Sequence, residues 1–230
     1  MIIGKGMVAG ALKNLSGWDN DILFSSGVSN SGELDEKKYQ REIDLVKTNL
    51  EKLIPSATFV YFSTISIFDL LKKENPYILH KLKIESIIKS SDVNHMILRL
   101  PNLVGFSSNP NTLTNYFADS IRINRTISLN RIAIRHLIDI TDLSSIIKDI
   151  KNNFDKSRMT VNVETDRPLT AYQILTLIEE VMKKKANIHP ADVVSNLVVK
   201  QDNSDISSIN YIWKTAESYH KNLLRKYYSN

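Results

Sequence analysis

Apolar positions along this chain alternate between short runs and helical spacing. Ile2-Ile3 runs into Gly4-Lys5-Gly6 and then Met7-Val8-Ala9-Gly10-Ala11-Leu12, the pattern of a short strand, a tight turn and a helix start. Ile22-Leu23-Phe24, ending in Ser25-Ser26-Gly27, reads as a second strand. A helix is predicted from about Glu36 to Ile54, with Tyr39, Ile43, Val46, Leu50 and Leu53 on one face. Pro55 stops it. Thr58-Phe59-Val60-Tyr61-Phe62 is a third strand, apolar throughout, as fits a parallel strand buried on both faces. A helix over 77–89 and a strand over 96–100 continue the alternation. The class predicted is α/β, a shortened Rossmann-like doubly wound parallel sheet.

Past Gly105 the spacing loosens. Asn109-Pro110-Asn111 reads as a turn, 113–123 as a helix, and Leu137 to Ile140 as a short strand. Asp142 is placed to cap a helix running to Ile150. Thr160 to Val163 is a late strand, Thr170 starts a helix over 172–185, and 209–228 carries a weaker helical pattern. Residues 1–105 with 131–165 are expected to form a cofactor-binding domain. Residues 106–130 with 166–230 are expected to form a smaller C-terminal substrate lobe.

The composition narrows the classes. With 230 residues, 42% hydrophobic and 24% charged, the chain is long enough for a real core, which excludes a disordered or fibrous protein. No apolar run reaches the ~18–20 residues of a membrane span, and Met1-Ile2-Ile3 is no signal peptide. A cytoplasmic protein without a membrane partner is expected. The absence of cysteine excludes disulfide scaffolds, thiol catalysis and cysteine-based metal sites. The five histidines show no HxxxH or HxH spacing, so no metal site is expected. A net charge of +5 is mild, and its densest run, Lys183-Lys184-Lys185, ends a helical pattern, where cations suit the carbonyl-rich terminus. No nucleic-acid partner is expected.

Two patterns carry chemistry. Gly4-x-Gly6-x-x-Ala9 lies between strand and helix, where glycines let the backbone approach a pyrophosphate. A strand-to-helix turn can also use glycine for steric reasons alone. Tyr77-x-x-x-Lys81 lies on a helix that follows the strand end Ser63-Thr64-Ile65-Ser66. Residues i and i+4 share a helix face, so an ammonium can stand beside the phenol, favouring phenolate and lowering the tyrosine pKa. The plain alternative is an exposed tyrosine and lysine.

In this order the motifs resemble the short-chain dehydrogenase/reductase superfamily, in its extended, nucleotide-sugar epimerase/dehydratase/reductase branch. Gly4-Lys5-Gly6-Met7-Val8-Ala9 resembles the glycine loop, one residue shorter and ending in alanine. Phe62-Ser63-Thr64-Ile65-Ser66-Ile67-Phe68 resembles "SSxxVYG", and Tyr77-Ile78-Leu79-His80-Lys81 followed by Glu85 resembles "YxxSKxxxE". Leu98-Arg99-Leu100-Pro101-Asn102-Leu103-Val104-Gly105 resembles "LRLPNVYG", the most specific piece. Arg135-His136-Leu137-Ile138-Asp139-Ile140-Thr141-Asp142 resembles "RDFIHVDD", and Val161-Asn162-Val163 resembles "YNVG".

The resemblance implies Tyr77 as proton donor or acceptor, Lys81 tuning Tyr77 and holding the nicotinamide ribose, and Thr64 polarising the same substrate oxygen. It implies a cofactor, NADP(H) or NAD(H), held by Gly4, Lys5, Gly6, Met7, Val8, Ser26 and Gly27 together with Tyr77 and Lys81. NADP(H) is favoured, because no acidic residue stands where the ribose hydroxyls are read and Lys5 can reach a 2′-phosphate. The substrate implied is a nucleotide-sugar, met by Ser66, Asn102 and Arg135, with Arg135 at its diphosphate. An ion pair of Arg135 with Asp139 or Asp142 is the alternative. Ile65 and Ser66 offer no carboxylate where the family's dehydratases carry Asp-Glu, which disfavours 4,6-dehydration and leaves keto-sugar reduction or epimerisation. The expected setting is surface-polysaccharide precursor synthesis, with a homodimer admitted. One departure stands out: two strands and two helices that the family places before the Ile22 strand have no counterpart, so the adenine pocket is largely missing. A non-catalytic, sugar-nucleotide-binding regulatory member is therefore the rival class.

Overall fold

The computed structural model describes residues 1–69, 73–154, 157–189 and 208–229, so part of the expected C-terminal lobe, 190–207, lies outside the described residues. Six strands form one sheet: β1 (Ile2–Ile3), β2 (Ile22–Phe24), β3 (Thr58–Thr64), β4 (Asn94–Leu100), β5 (Arg158–Thr165) and β6 (Ile209–Trp213), side by side in that order. The pairs from β1 to β5 are parallel, with Ile2 opposite Leu23, Ile22 opposite Phe59, Thr58 opposite Asn94, and His95 opposite Arg158. A doubly wound sheet normally runs 3-2-1-4-5-6, with the first strand inside. Here only residues 13–21 separate the first helix from β2, and β1 forms an edge of the sheet.

Helices α1 (Met7–Leu12), α2 (Glu36–Glu51) and α3 (Pro76–Lys89) follow β1, β2 and β3. Ile43, Val46 and Leu50 of α2 and Ile84 and Ile88 of α3 pack on Phe24, Phe59, Tyr61 and Ile97 of the sheet. Val60 and Leu98 point to the opposite face, because strand side chains alternate, and are equally buried. Both faces of the sheet are thus covered, and its central strands are buried on both sides. Two chain units arise, interleaved in sequence: Met1–Leu100 with Ile140–Val163 and the described part of 201–211, and Pro101–Asp139 with the described parts of 164–200 and 212–230.

The second unit contains α4 (Leu113–Arg122), α6 (Ala171–Met182) and α7 (Tyr219–Tyr228), whereas α5 (Leu143–Asn153) belongs to the first. Phe117, Ile121, Ile174, Ile178, Leu223 and Leu224 form its core. Thr170 and Gln173 make a reciprocal capping box on α6, and Lys183 ends that helix in the left-handed region. The lysine run is held locally: Lys184 Nζ donates to the Arg122 carbonyl at 2.7 Å and Lys185 Nζ pairs with Glu179 at 2.9 Å. Two expectations change. Asp142 takes the N-cap position of α5, but its side chain makes no capping bond. The stretch 209–228 is not one helix: Ile209-Asn210-Tyr211-Ile212-Trp213 is a strand, its β-branched and aromatic residues favouring the pleat. No helix among the described residues is long and apolar enough to cross a membrane.

Leu224 is fully buried in the second unit's core. Leu224→Ala is expected to cost about 2–5 kcal/mol in urea unfolding, and a loss below about 1 kcal/mol would contradict that packing.

Candidate active site

β3 runs out at Thr64 into a 3-10 turn over Ile65–Phe68, and Thr64 Oγ1 caps that turn by accepting the Ser66 N–H at 3.1 Å. α3 starts at Asn75-Pro76. The Asn75 side chain accepts the Tyr77 N–H at 2.9 Å, and proline supplies the φ that the first turn needs. These two local devices bring Tyr77 to the strand end, close enough for the Thr64 side chain to favour ionisation of its phenol. One turn further, the Lys81 ammonium lies 5.7 Å from the Tyr77 ring centre. The hydroxyl, phenol and lysine grouped by the sequence are neighbours in space.

Lys81 is nevertheless buried, and its ammonium is committed to protein partners. It donates to Glu42 Oε1 at 3.1 Å and to the Tyr61 hydroxyl at 2.9 Å. Glu42, on α2 and without solvent exposure, also accepts the Tyr61 hydroxyl at 2.7 Å and the Val28 N–H at 2.7 Å, and its Oε2 meets His80 Nε2 at 2.8 Å. Burial opposes the Glu42 charge, but Lys81, His80, Val28 and Tyr61 outweigh it and hold the carboxyl down to about 2. Burial lifts the Tyr77 phenol well above its usual range, the Glu42 charge lifts it further, and Thr64 offsets part of this. The lowering expected from the Tyr77–Lys81 spacing is therefore reversed, chiefly by burial and then by the Glu42 charge.

The glycines divide by cause. Gly4 has φ +133°, and a Cβ there would stand 2.4 Å from the Ser25 carbonyl oxygen, so packing against the end of β2 accounts for it. At Gly6, the N-cap of α1, a Cβ would meet nothing within 4 Å, so packing does not demand glycine. Gly27 is required by the ion pair, since a Cβ would lie 2.7 Å from Glu42 Oε1 and 2.8 Å from Lys81 Nζ. Lys5 is exposed, whereas Met7 and Val8 open α1 and are partly buried. Ser26 is gripped by Arg41, whose Nη2 donates to its hydroxyl at 2.8 Å and Nη1 to its carbonyl at 3.3 Å.

A second buried network adjoins the first. Arg99 donates twice to Glu85 from Nε, at 3.1 and 3.2 Å, and once from Nη2, at 2.7 Å. Ser63 Oγ donates to the same carboxylate at 2.6 Å, and Asn162 Oδ1 accepts from Arg99 at 3.3 Å. In the second unit, Asn102 donates its N–H and Nδ2 to the His136 carbonyl at 3.1 and 3.3 Å. Arg135 Nη1 donates to the Ile134 carbonyl at 2.7 Å, and Asp139 binds Lys226 and Tyr227. No group of three or more metal-ligating side chains is present among the described residues.

Glu42, Tyr61, His80, Asn75 and Arg41 escaped the sequence reading. Glu42 had a signal: it lies three residues after Tyr39 and four before Val46, an acid on the apolar face of a helix. A charge there needs an internal partner.

The fold that presents this Thr–Tyr–Lys cluster, a parallel sheet covered on both faces, is similar to that of solved UDP-sugar epimerases. In sequence the chain matches no family model and no curated protein. In structure it is similar to the UDP-glucose 4-epimerase of Thermus thermophilus complexed with NAD, with TM-score 0.62 and 14% identity over 91% of this chain and 77% of that one. RMD from Pseudomonas aeruginosa complexed with NADPH gives TM-score 0.64 and 13% identity over 97% and 85%. The UDP-N-acetylglucosamine 4-epimerase of Methanobrevibacter ruminantium, in complex with UDP-N-acetylmuramic acid, gives 0.65 and 16% over 99% and 81%.

The Glu42 carboxyl, ordinarily titrating near 4.5, titrates near 2 when folded. Its stabilisation is complete above the unfolded value and is lost as pH falls through the folded one. About 3 kcal/mol of this kind should disappear from the wild type between pH 4.5 and pH 2. Glu42→Gln should lack that pH dependence while starting about 3–5 kcal/mol less stable, with Lys81 left unpaired. Parallel acid profiles of the two proteins in chemical unfolding would refute this.

Proposed function

We propose that this chain is a nicotinamide-dependent enzyme acting on a nucleotide-sugar, by keto-sugar reduction or epimerisation, in the supply of surface-polysaccharide precursors. The observation that carries this reading is the approach of Thr64 to Tyr77 at the β3 end, with Lys81 one turn away. It pairs a proton-bearing phenol with a hydroxyl able to share one substrate oxygen.

A nicotinamide dinucleotide fits part of this site. Open space at Gly6 lets the backbone of Gly4 to Val8 approach a pyrophosphate, and Lys81 keeps one N–H beyond the two given to Glu42 and Tyr61. The Ser26-Gly27 turn lies against the same loop through Gly4. When bound, the nicotinamide exchanges hydride with the sugar carbon, while Tyr77 moves the proton and Thr64 orients the oxygen. NADP(H) is the favoured form, since the exposed Lys5 offers a cation and the chain lacks the segment that reads the adenosine ribose. The NADPH and NAD complexes among the structures of like fold support a nicotinamide cofactor in either form. Asn102, Ser66 and Arg135 are proposed to meet the nucleotide-sugar.

A second reading, sugar-nucleotide binding without turnover, is favoured by β1 lying at the sheet edge. Titration with NADPH and NADH, followed by a turnover screen of nucleotide-sugars and 4-keto-sugars, separates the two. Absence of binding by either cofactor would overturn the enzymatic reading.

Tyr77→Phe is expected to lower turnover ~10²–10⁴-fold while leaving substrate affinity near wild type; full turnover would remove Tyr77 from the chemistry. Arg135→Ala should raise KM far more than it lowers kcat, as loss of a diphosphate contact requires. An unchanged KM would assign Arg135 elsewhere.

A further inference from the structure

Glu42 has no part in the expected chemistry, yet it has no solvent exposure and touches the lysine on which that chemistry depends. A carboxylate at such a place is costly unless it is paired and hydrogen-bonded. The groups facing Tyr77 come from three elements. From β3 come Thr64, beside the phenol, and Tyr61, which shares Lys81 and Glu42. From α3 comes Lys81, and from α2 come Tyr39 and Glu42. Within this set the single cation has the single anion at 3.1 Å and lies 5.7 Å from the Tyr77 ring centre.

We propose that Glu42 is a positioning residue that clamps the Lys81 ammonium beside Gly27, leaving Tyr77 a neutral phenol suited to giving a proton rather than taking one. This rests on the enzymatic reading above and narrows it. Epimerisation begins by removing a hydroxyl proton, whereas ketone reduction begins with a proton donor in place. The clamp therefore selects reduction of a keto-sugar. The Tyr77 O–H bond breaks as its proton passes to the carbonyl oxygen, the carbonyl carbon gains a hydride from a reduced nicotinamide, and solvent returns a proton to the Tyr77 oxygen. The upward displacement of the Tyr77 phenol by burial and by Glu42 agrees with this geometry.

The test is a carbon-13 NMR titration of protein labelled at tyrosine Cζ, with the Tyr77 resonance assigned by its loss in Tyr77→Phe. In the wild type Tyr77 should remain protonated past pH ~10, the ordinary tyrosine midpoint. Glu42→Gln, which frees the lysine charge, should lower the midpoint by roughly one unit or more. A wild-type midpoint below ~10, or a midpoint unmoved in Glu42→Gln, overturns the proposal. Should Glu42→Gln fail to fold, a wild-type midpoint below ~10 still overturns the proposal. The titration needs neither cofactor nor substrate, so a chain that binds no nicotinamide can still pass it, and the two ideas fall separately.

Discussion

A carboxylate cut off from water must find its charge and its hydrogen bonds inside the protein, and Glu42 does so at the meeting point of α2, α3, β3 and the turn after β2. The Lys81 ammonium and His80 ring come from α3, the Tyr61 hydroxyl from β3 and the Val28 amide from the turn after β2. None can shift far without stranding a buried charge, which costs several kcal/mol. This one constraint locates Lys81, demands glycine at 27, and sets the electrostatic surroundings of Tyr77. The candidate chemistry is thus shaped by a residue outside the motif that first suggests it.

Four residues after Lys81, and so on the same helix face, Glu85 anchors the second network. Arg99 approaches it through three short contacts, Ser63 adds a fourth, and Asn162 carries the chain of bonds on to Ser208 and Asn210. Residues of β3, β4 and β5 and their neighbours are tied across the sheet by polar bonds that tolerate no slip in register. A one-residue slip would send Ser63, Arg99 and Asn162 to the other face and leave Glu85 buried without partners. The apolar core supplies most of the stability, and these side chains select the arrangement.

At the opposite end of the sheet the structure is spare. β1 has two residues and a single neighbour, and the glycine loop is packed closely against Ser25 through Gly4. Among the described residues no strand extends the sheet beyond β1, as a full doubly wound domain would have. Chemistry and cofactor recognition are thereby unequal in this fold. The end of β3 is heavily determined, whereas the β1 edge consists of the loop from Gly4 to Val8 packed against the turn at Ser26 and Gly27.

Periodicity alone disclosed strands at 2–3, 22–24, 58–62 and 96–100 and helices at about 36–54 and 77–89, each within three residues of its observed ends, because hydrophobic spacing is a local property written into consecutive residues. The grouping of Thr64, Tyr77 and Lys81 was legible for the same reason: a strand end and one helix turn are short-range features. The strand at 209–213 was not, since a five-residue apolar run supports either period until a neighbouring strand offers its hydrogen bonds. Nor was the sign of the Tyr77 shift. Sequence put a lysine beside the phenol; only tertiary structure brought Glu42, from 39 positions away, onto that lysine. Electrostatic effects depend on distance through space and on exclusion of water, and neither is encoded in the spacing of a motif.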